Sequence, residues 1–252
     1  MPKTIILFLS FLLFAFHNFE KNTKNDWVLQ NLRGKVKSIS ENEYNAVQNA
    51  HKVKKGASTG SERYVFNEIG NMIEQSIYNP DGTLFSNFTC TYDGNGNKIE
   101  QNRYTNGILF RRSTFTLDNN GNCTEETMYK PDGKLFRKFI YKYDDKGNKI
   151  EKNAYKPDGS ITEKFTYKYD NNSNEIEENR FIADGSIADK STFKYDDNSN
   201  KTEENKHNPN GSIAYTSTFK YEYGKNINWI KRIEFDQYKK PIVVVEREIE
   251  YF

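Results

Sequence analysis

Apolar and polar positions alternate with a period of two along most of the chain, and the alternation itself recurs. From Leu135 to Tyr143 the run LFRKFIYKY puts Leu135, Phe139, Tyr141 and Tyr143 on one face and Lys138 and Lys142 on the other. Such alternation predicts half-buried β-strands. The phrase returns with Ile161, Phe165, Tyr167 and Tyr169, with Ile187, Phe193 and Tyr195, and with Ile213, Phe219 and Tyr221. Lys164, Lys168, Lys190, Lys194 and Lys220 take the reverse face, with Thr166, Thr192 and Thr218 between them. In the second segment of each unit, Ile99, Ile150 and Ile176 are expected to join the aromatic face. Glu100, Glu125, Glu151, Glu177 and Glu203 then fall beside the lysines as a ladder of cross-strand pairs.

Turn residues punctuate these runs. Gly70-Asn71, Gly96-Asn97, Gly121-Asn122, Gly147-Asn148, Ser173-Asn174 and Ser199-Asn200 are spaced by 26, 25, 26, 26 and 26 residues. A second turn begins at Pro80, Pro131, Pro157, Ala183 and Pro209, and at Thr105 in a copy one residue short. In Asn79-Pro80-Asp81-Gly82, proline presets the first turn dihedral and glycine closes the turn. Two turns per unit leave segments of about 8–10 residues, which is strand length, and short turns make neighbours antiparallel. The expected fold is all-β: a continuous antiparallel β-hairpin meander of about 14–16 strands, arranged as a solenoid-like, curved single sheet.

The ends depart from the period. Residues 1–18 read as a signal peptide, because Lys3 precedes the apolar run Ile5 to Phe16, which is well short of the roughly 20 residues a spanning helix needs. Residues 19–63 form an N-terminal cap segment. In it a short helix is capped by Asn25 or Asp26, carries Trp27 and Leu32, and stops at Gly34. A strand follows from Gly34 to Tyr44, and Val47 to Glu62 reads as a mobile basic loop. The repeats occupy residues 64–225 and closing strands residues 226–252. Pro241, Glu246, Arg247, Glu248 and Glu250 read as edge-strand devices against further pairing.

Composition narrows the function. Lys plus Arg number 37 and Asp plus Glu 35, a net charge of +2 that gives no basis for nucleic-acid binding. Aromatic residues make up 15% of the chain and hydrophobic residues only 35%, a mixture suited to a sheet with one wet face. The signal implies an exported protein, periplasmic, cell-surface or secreted, and not membrane-spanning. A lipid-facing barrel is disfavoured because Glu246, Glu248 and Glu250 alternate in register with Phe252. Cys90 and Cys123 fall about three strands apart, roughly 14 Å, and are expected as free thiols.

No catalytic constellation, cofactor motif or metal-ligand spacing stands out. The Asp93 and Asp118 turns look like calcium loops, but Tyr104 and Tyr129 stand where the bidentate glutamate of such a loop belongs. His17, His51 and His207 have no ligand spacing. The candidate ligand-binding residues are the aromatic ladder Tyr141, Tyr143, Tyr167, Tyr169, Tyr195 and Tyr221, with carbohydrate or protein at the cell surface as the partner. The alternative is that this face is core.

The pattern Tyr141, Tyr143-Asp144, Gly147-Asn148, Ile150 and Asp132-Gly133, with its copies, resembles the RHS/YD-repeat family over about residues 64–225. The ending Ile227-Asn228-Trp229 looks like the closure of small exported YD-type proteins of Bacteroidetes-like bacteria. The resemblance implies a β-sheet shell or a surface protein that touches carbohydrate. An enzyme is disfavoured, because the residues offer no nucleophile triad and no phosphate loop. This chain lacks the cargo domain of the large members, which leaves a binding or scaffolding module at the cell envelope. A weaker likeness to short Tyr/Asn-Gly proteins implies an immunity or antitoxin-like role against a co-encoded toxin.

Overall fold

The computed structural model describes residues 25–49 and 52–252, so the expected signal peptide lies outside the described residues. After helix α1 (Asp26–Leu29), sixteen antiparallel strands follow in chain order: β1 (Val36–Asn49), β2 (Lys52–Phe66), β3 (Met72–Tyr78), β4 (Leu84–Tyr92), β5 (Lys98–Thr105), β6 (Ile108–Leu117), β7 (Cys123–Tyr129) and β8 (Leu135–Tyr143) make the first half. The second half is β9 (Lys149–Tyr155), β10 (Ile161–Tyr169), β11 (Glu175–Ile182), β12 (Ile187–Tyr195), β13 (Lys201–His207), β14 (Ile213–Tyr223), β15 (Trp229–Phe235) and β16 (Pro241–Tyr251). The meander and its strand count agree with the periodicity.

The expected open sheet does not form; the meander closes into a barrel. β16 pairs with β15 on one side and with β1 on the other, from Val36↔Tyr251 to Asn45↔Val243. The charges on β16 therefore do not guard an edge. Glu246 and Glu250 point outward to Lys55 and Lys37, at 2.7 and 2.8 Å. Arg247 points inward, where its Nε and Nη2 lie 2.7 and 2.6 Å from Glu41 Oε1. That buried pair ties the first strand to the last.

A β-bulge near each end of the hairpins shifts the alternation, and this corrects the expected faces. Lys142 faces Glu151 and Tyr143 faces Lys149, which leaves Ile150 as the extra residue. The same shift leaves out Ile176 between Glu177 and Glu175, and Ile99 between Glu100 and Lys98. The isoleucines accordingly turn outward and are exposed. Lys98, Cys123, Lys149, Glu175 and Lys201 turn inward beside the tyrosines. At the other end, Ile161 pairs with Tyr155 across a second shift, so Leu135, Ile161, Ile187 and Ile213 also leave the aromatic face. One extra residue in an alternating strand moves everything beyond it to the opposite side. The Lys–Glu ladder lies outside as expected: Lys138–Glu125, Lys142–Glu151, Lys164–Glu151, Lys168–Glu177, Lys190–Glu177 and Lys194–Glu203 span 2.7–2.9 Å.

Val47 to Asn49 and Lys52 to Glu62 belong to strands rather than to a mobile loop. Val47 pairs with Lys54 and Ala46 with Lys55, so β1 and β2 continue as a hairpin beyond the last β1–β16 pair, Asn45↔Val243. Register shifts beside Tyr44 hide the period. Gly60, at φ +142°, sits where an added Cβ would approach Tyr78 O to 2.9 Å.

The opposite end is stoppered. Asn25 Oδ1 accepts from Val28 N at 3.1 Å and caps α1, which ends at Leu29, short of the Gly34 expected to stop it. Asp26 accepts from Met72 N at 2.7 Å and Tyr92 Oη at 2.9 Å, and Lys98 Nζ lies 3.7 Å from it. Trp27 Nε1 donates to Val36 O. Leu32, Val36, Ile39, Tyr64, Phe66 and Met72 form the core cluster there, with Trp27 against it. Asn31 and Arg33 then bond Asn198 O and Asn228 Oδ1, carrying the segment onto the β12–β13 and β14–β15 turns.

A candidate binding chamber inside the barrel

The six tyrosines expected as a ligand surface all face the barrel interior, but they have different tasks. Tyr143, Tyr169, Tyr195 and Tyr221 each donate a hydroxyl, at 2.8 Å, to a backbone carbonyl twenty residues earlier: Cys123, Lys149, Glu175 and Lys201. That residue is the inward one preceding each bulge. The hydroxyl therefore staples one hairpin to the one before it, and Tyr92 does the same to Met72 O. Tyr141 donates to Glu126 at 2.9 Å. Tyr167 alone of the six has no hydroxyl hydrogen bond among the described residues. Burial raises the hydroxyl pKa of all six, so each ring enters the interior as a neutral donor.

Between the aromatic strands run charged columns, basic on β9, acidic on β11 and mixed on β13. β9 contributes Lys149 and Lys152, β11 Glu175 and Glu178, and β13 Lys201 and Glu204. The ammonium groups rest on rings: Lys149 on Tyr141 at 4.6 Å, Lys152 on Phe139 at 4.6 Å and Phe165 at 5.0 Å, and Lys201 on Phe193 at 4.2 Å. Such contacts hold a cation away from bulk water at modest cost. Burial, then Lys152, pushes the Lys149 pKa down, and burial lowers that of Lys152. Burial, with Glu178 second, pushes Glu175 up to about 8. Glu175 is only 5% exposed and its Oε1 has no hydrogen-bond partner among the described residues. Lys149, Glu175 and Lys201 were missed in the sequence because the bulge reverses the face expected of them.

A closed barrel of this strand number has more interior than its side chains fill. Phe139, Tyr141, Phe165 and Tyr167 remain only half-buried, so solvent reaches the chamber. Its unstoppered end carries Arg103, Arg111, Arg137, Glu163, Arg180 and Asp189. Arg111, Arg137, Glu163 and Asp189 are the breaks in the aromatic pattern that the sequence already shows. Arg180 bridges Glu163, at 2.9 Å, and Asp189, while Arg137 approaches Glu163 at 3.7 Å.

Neither cysteine forms a disulfide. The Asp-x-x-Gly-Asn turns consume their own carboxylates. Asp144 Oδ1 accepts from Lys146 N and Asn148 N, and Oδ2 from Asn148 Nδ2, all within 3.0 Å, and Asp93, Asp118 and Asp170 repeat the arrangement. Among the described residues no cluster of His, Cys, Asp and Glu has the geometry to hold a metal. No described helix is long and apolar enough to cross a membrane.

No family model and no curated protein matches the chain. Among solved structures, a porin-like protein from Bacteroides uniformis is similar over 85% of this chain and 98% of its own, with a TM-score of 0.59 and 13% identity. A porin-like protein from Bacteroides vulgatus is similar over 87% and 99%, with a TM-score of 0.51 and 12% identity. At these identities the likeness is one of fold: this chain shares their overall barrel architecture.

Proposed function

We propose that this chain is an exported, non-enzymatic binding protein of the cell envelope that takes a saccharide into its barrel. The observation that carries this reading is the interior surface itself: half-buried aromatic rings alternating with charged columns, in a barrel stoppered at one end. Ring faces suit the apolar faces of sugars, and the Lys and Glu rows supply donors and acceptors for hydroxyls. A chamber between strands suits an extended chain better than a globular partner. The YD-type pattern points the same way, toward surface proteins that touch carbohydrate.

A lipid-spanning pore, which the description of the two similar structures brings to mind, is disfavoured by the outer surface. A spanning barrel needs an apolar band about 25 Å tall. Here Glu125, Lys138, Glu151, Lys164, Glu177 and Lys190 run around the middle of the outer face in ion pairs. The second reading, an immunity-like protein, draws on the outer pairs Tyr155–Ile161 and Phe181–Ile187 near the unstoppered rim, where an apolar partner surface would dock.

The test is a glycan array probed with the mature protein, beside Tyr167→Ala. That substitution removes a ring without removing a staple. Saccharide binding that falls in Tyr167→Ala while circular dichroism is unchanged supports the reading. No glycan bound, or binding indifferent to Tyr167, refutes it.

A further inference from the structure

Two arginines at the unstoppered end stand in an arrangement that costs the free protein stability. Arg103 on β5 and Arg111 on β6 are directly opposed partners on the inner face. Like charges set opposite each other in a sheet repel. Elsewhere at this rim acids answer the bases, as with Arg180 between Glu163 and Asp189. Among the described residues no carboxylate pairs with Arg103 or Arg111. Arg103 Nε donates to Ser86 Oγ at 3.1 Å and Arg111 Nη1 to Phe110 O at 3.2 Å, which leaves most of the ten guanidinium donors of the two side chains unused.

Phenylalanines hold both groups in place. Phe110 is the extra residue of the bulge beside Arg111, between the pairs Arg103↔Arg111 and Tyr104↔Leu109. Its ring lies 4.5 Å from the Arg111 guanidinium and 5.4 Å from that of Arg103. Phe136 lies 3.5 Å from Arg111 and Phe88 5.2 Å from Arg103. A stacked guanidinium keeps its edge free, and that edge matches the two oxygens of an acidic group. Both arginines are half-buried, and Phe110 is 44% exposed, so a ligand entering the chamber reaches them. Burial, and then the charge of Arg111, disfavours the protonated form of Arg103, the pressure a bound anion relieves.

We propose that Arg103, Arg111 and Phe110 form a subsite for the acidic group of a saccharide, a carboxylate or a sulfate, with Phe110 against the sugar ring. This deepens the reading of the interior as a saccharide chamber and rests on it. The experiment is titration calorimetry of the full chain with four probes: an oligogalacturonate hexamer, a heparin-derived hexasaccharide, neutral cellohexaose, and sodium sulfate alone. Each is repeated with Arg103→Gln, Arg111→Gln, the double variant, and Arg112→Gln, whose side chain lies on the outer face near Glu100.

The expected result is that one or both acidic oligosaccharides bind, weakened roughly tenfold or more by each inner substitution and not by Arg112→Gln. The unliganded Arg111→Gln protein should melt no lower than the parent, because a repulsion has been removed. An arginine that merely supported the fold would lower both affinity and melting temperature, and that result overturns the proposal. Acidic binding indifferent to the double variant overturns it as well. So does cellohexaose binding as tightly as the acidic probes, which leaves the chamber standing and removes the acidic subsite. Sulfate alone matching the oligosaccharides removes the sugar from the proposal, and no saccharide bound removes chamber and subsite together.

Discussion

Within the β1–β16 ladder that closes the barrel lies one buried ion pair, and its removal should cost more than any outer rung. Glu41 and Arg247 are 8% and 7% exposed, with the Arg247 guanidinium 3.3 Å from the Trp229 ring centroid. Glu41→Gln leaves the arginine charge without a partner where water scarcely enters. Breaking a buried pair from one side costs about 3–5 kcal/mol. In a chain of this length each kcal/mol moves the melting temperature by about 2–4 °C, so a drop of roughly 10 °C is expected. Replacing both partners, as Glu41→Leu with Arg247→Met, removes the unpaired charge and should recover most of the loss. Urea titration followed by tryptophan fluorescence reads this well, since the Trp229 ring lies against Arg247 of the seam. If Glu41→Gln costs under about 1 kcal/mol, or the double variant is as unstable as the two singles summed, the seam is not held as argued.

The remaining predictions concern the interior and the outer ladder. Tyr195→Phe removes the donor to Glu175 O and should cost about 1 kcal/mol by denaturant titration, whereas Tyr167→Phe should cost well under half that. Glu175, at about 8, lies above its ordinary value of 4.5 when folded. The stability it contributes is therefore complete below about 4.5 and lost as pH rises through about 8. Glu175→Gln should flatten that fall, worth up to a few kcal/mol, in melts between pH 5 and 9. Outside, burial opposes ionisation of Glu151, but hydrogen bonds from Lys142, Lys164 and Asn153 outweigh it and hold the carboxyl at about 2. Its contribution is present above 4.5 and lost as pH falls through about 2. Lys142→Met with Lys164→Met should bring its titration, followed by carboxyl NMR, back toward the ordinary range.

Strands, turns and the outer Lys–Glu ladder were legible in the sequence, because each follows from local chemistry repeated at a fixed interval. Asp144 and Gly147 specify their turn wherever the hairpin sits, and Lys164 meets Glu151 in any antiparallel pairing of those strands. Two kinds of feature escaped. Bulges shift the side-chain phase, so Ile150 and Ile176 were assigned to the wrong face and Lys149 and Glu175 were overlooked. Inward Lys and Glu, each preceding a bulged Ile, were the available signal. Closure escaped because it depends on the long-range pairing of the first strand with the last. Glu41 and Arg247 are separated by most of the chain, and nothing in the local pattern of β16 distinguishes a guarded edge from a seam. Of the candidate ligand surface, the inward set of six tyrosines was found, but the division between stapling and free hydroxyls needed the register.

The tyrosine staples carry an implication for how such a molecule changes in size. Each joins a hairpin only to its predecessor, and the seam involves only β1, β16 and their immediate neighbours. A duplicated or deleted unit of 26 residues would bring its own staple and leave the junction untouched, altering the circumference by two strand widths, roughly 10 Å. Repeat number then works as a ruler for bore, set by recombination rather than by point substitution. Relatives differing by one unit should accept guests of different girth while keeping the same wall chemistry.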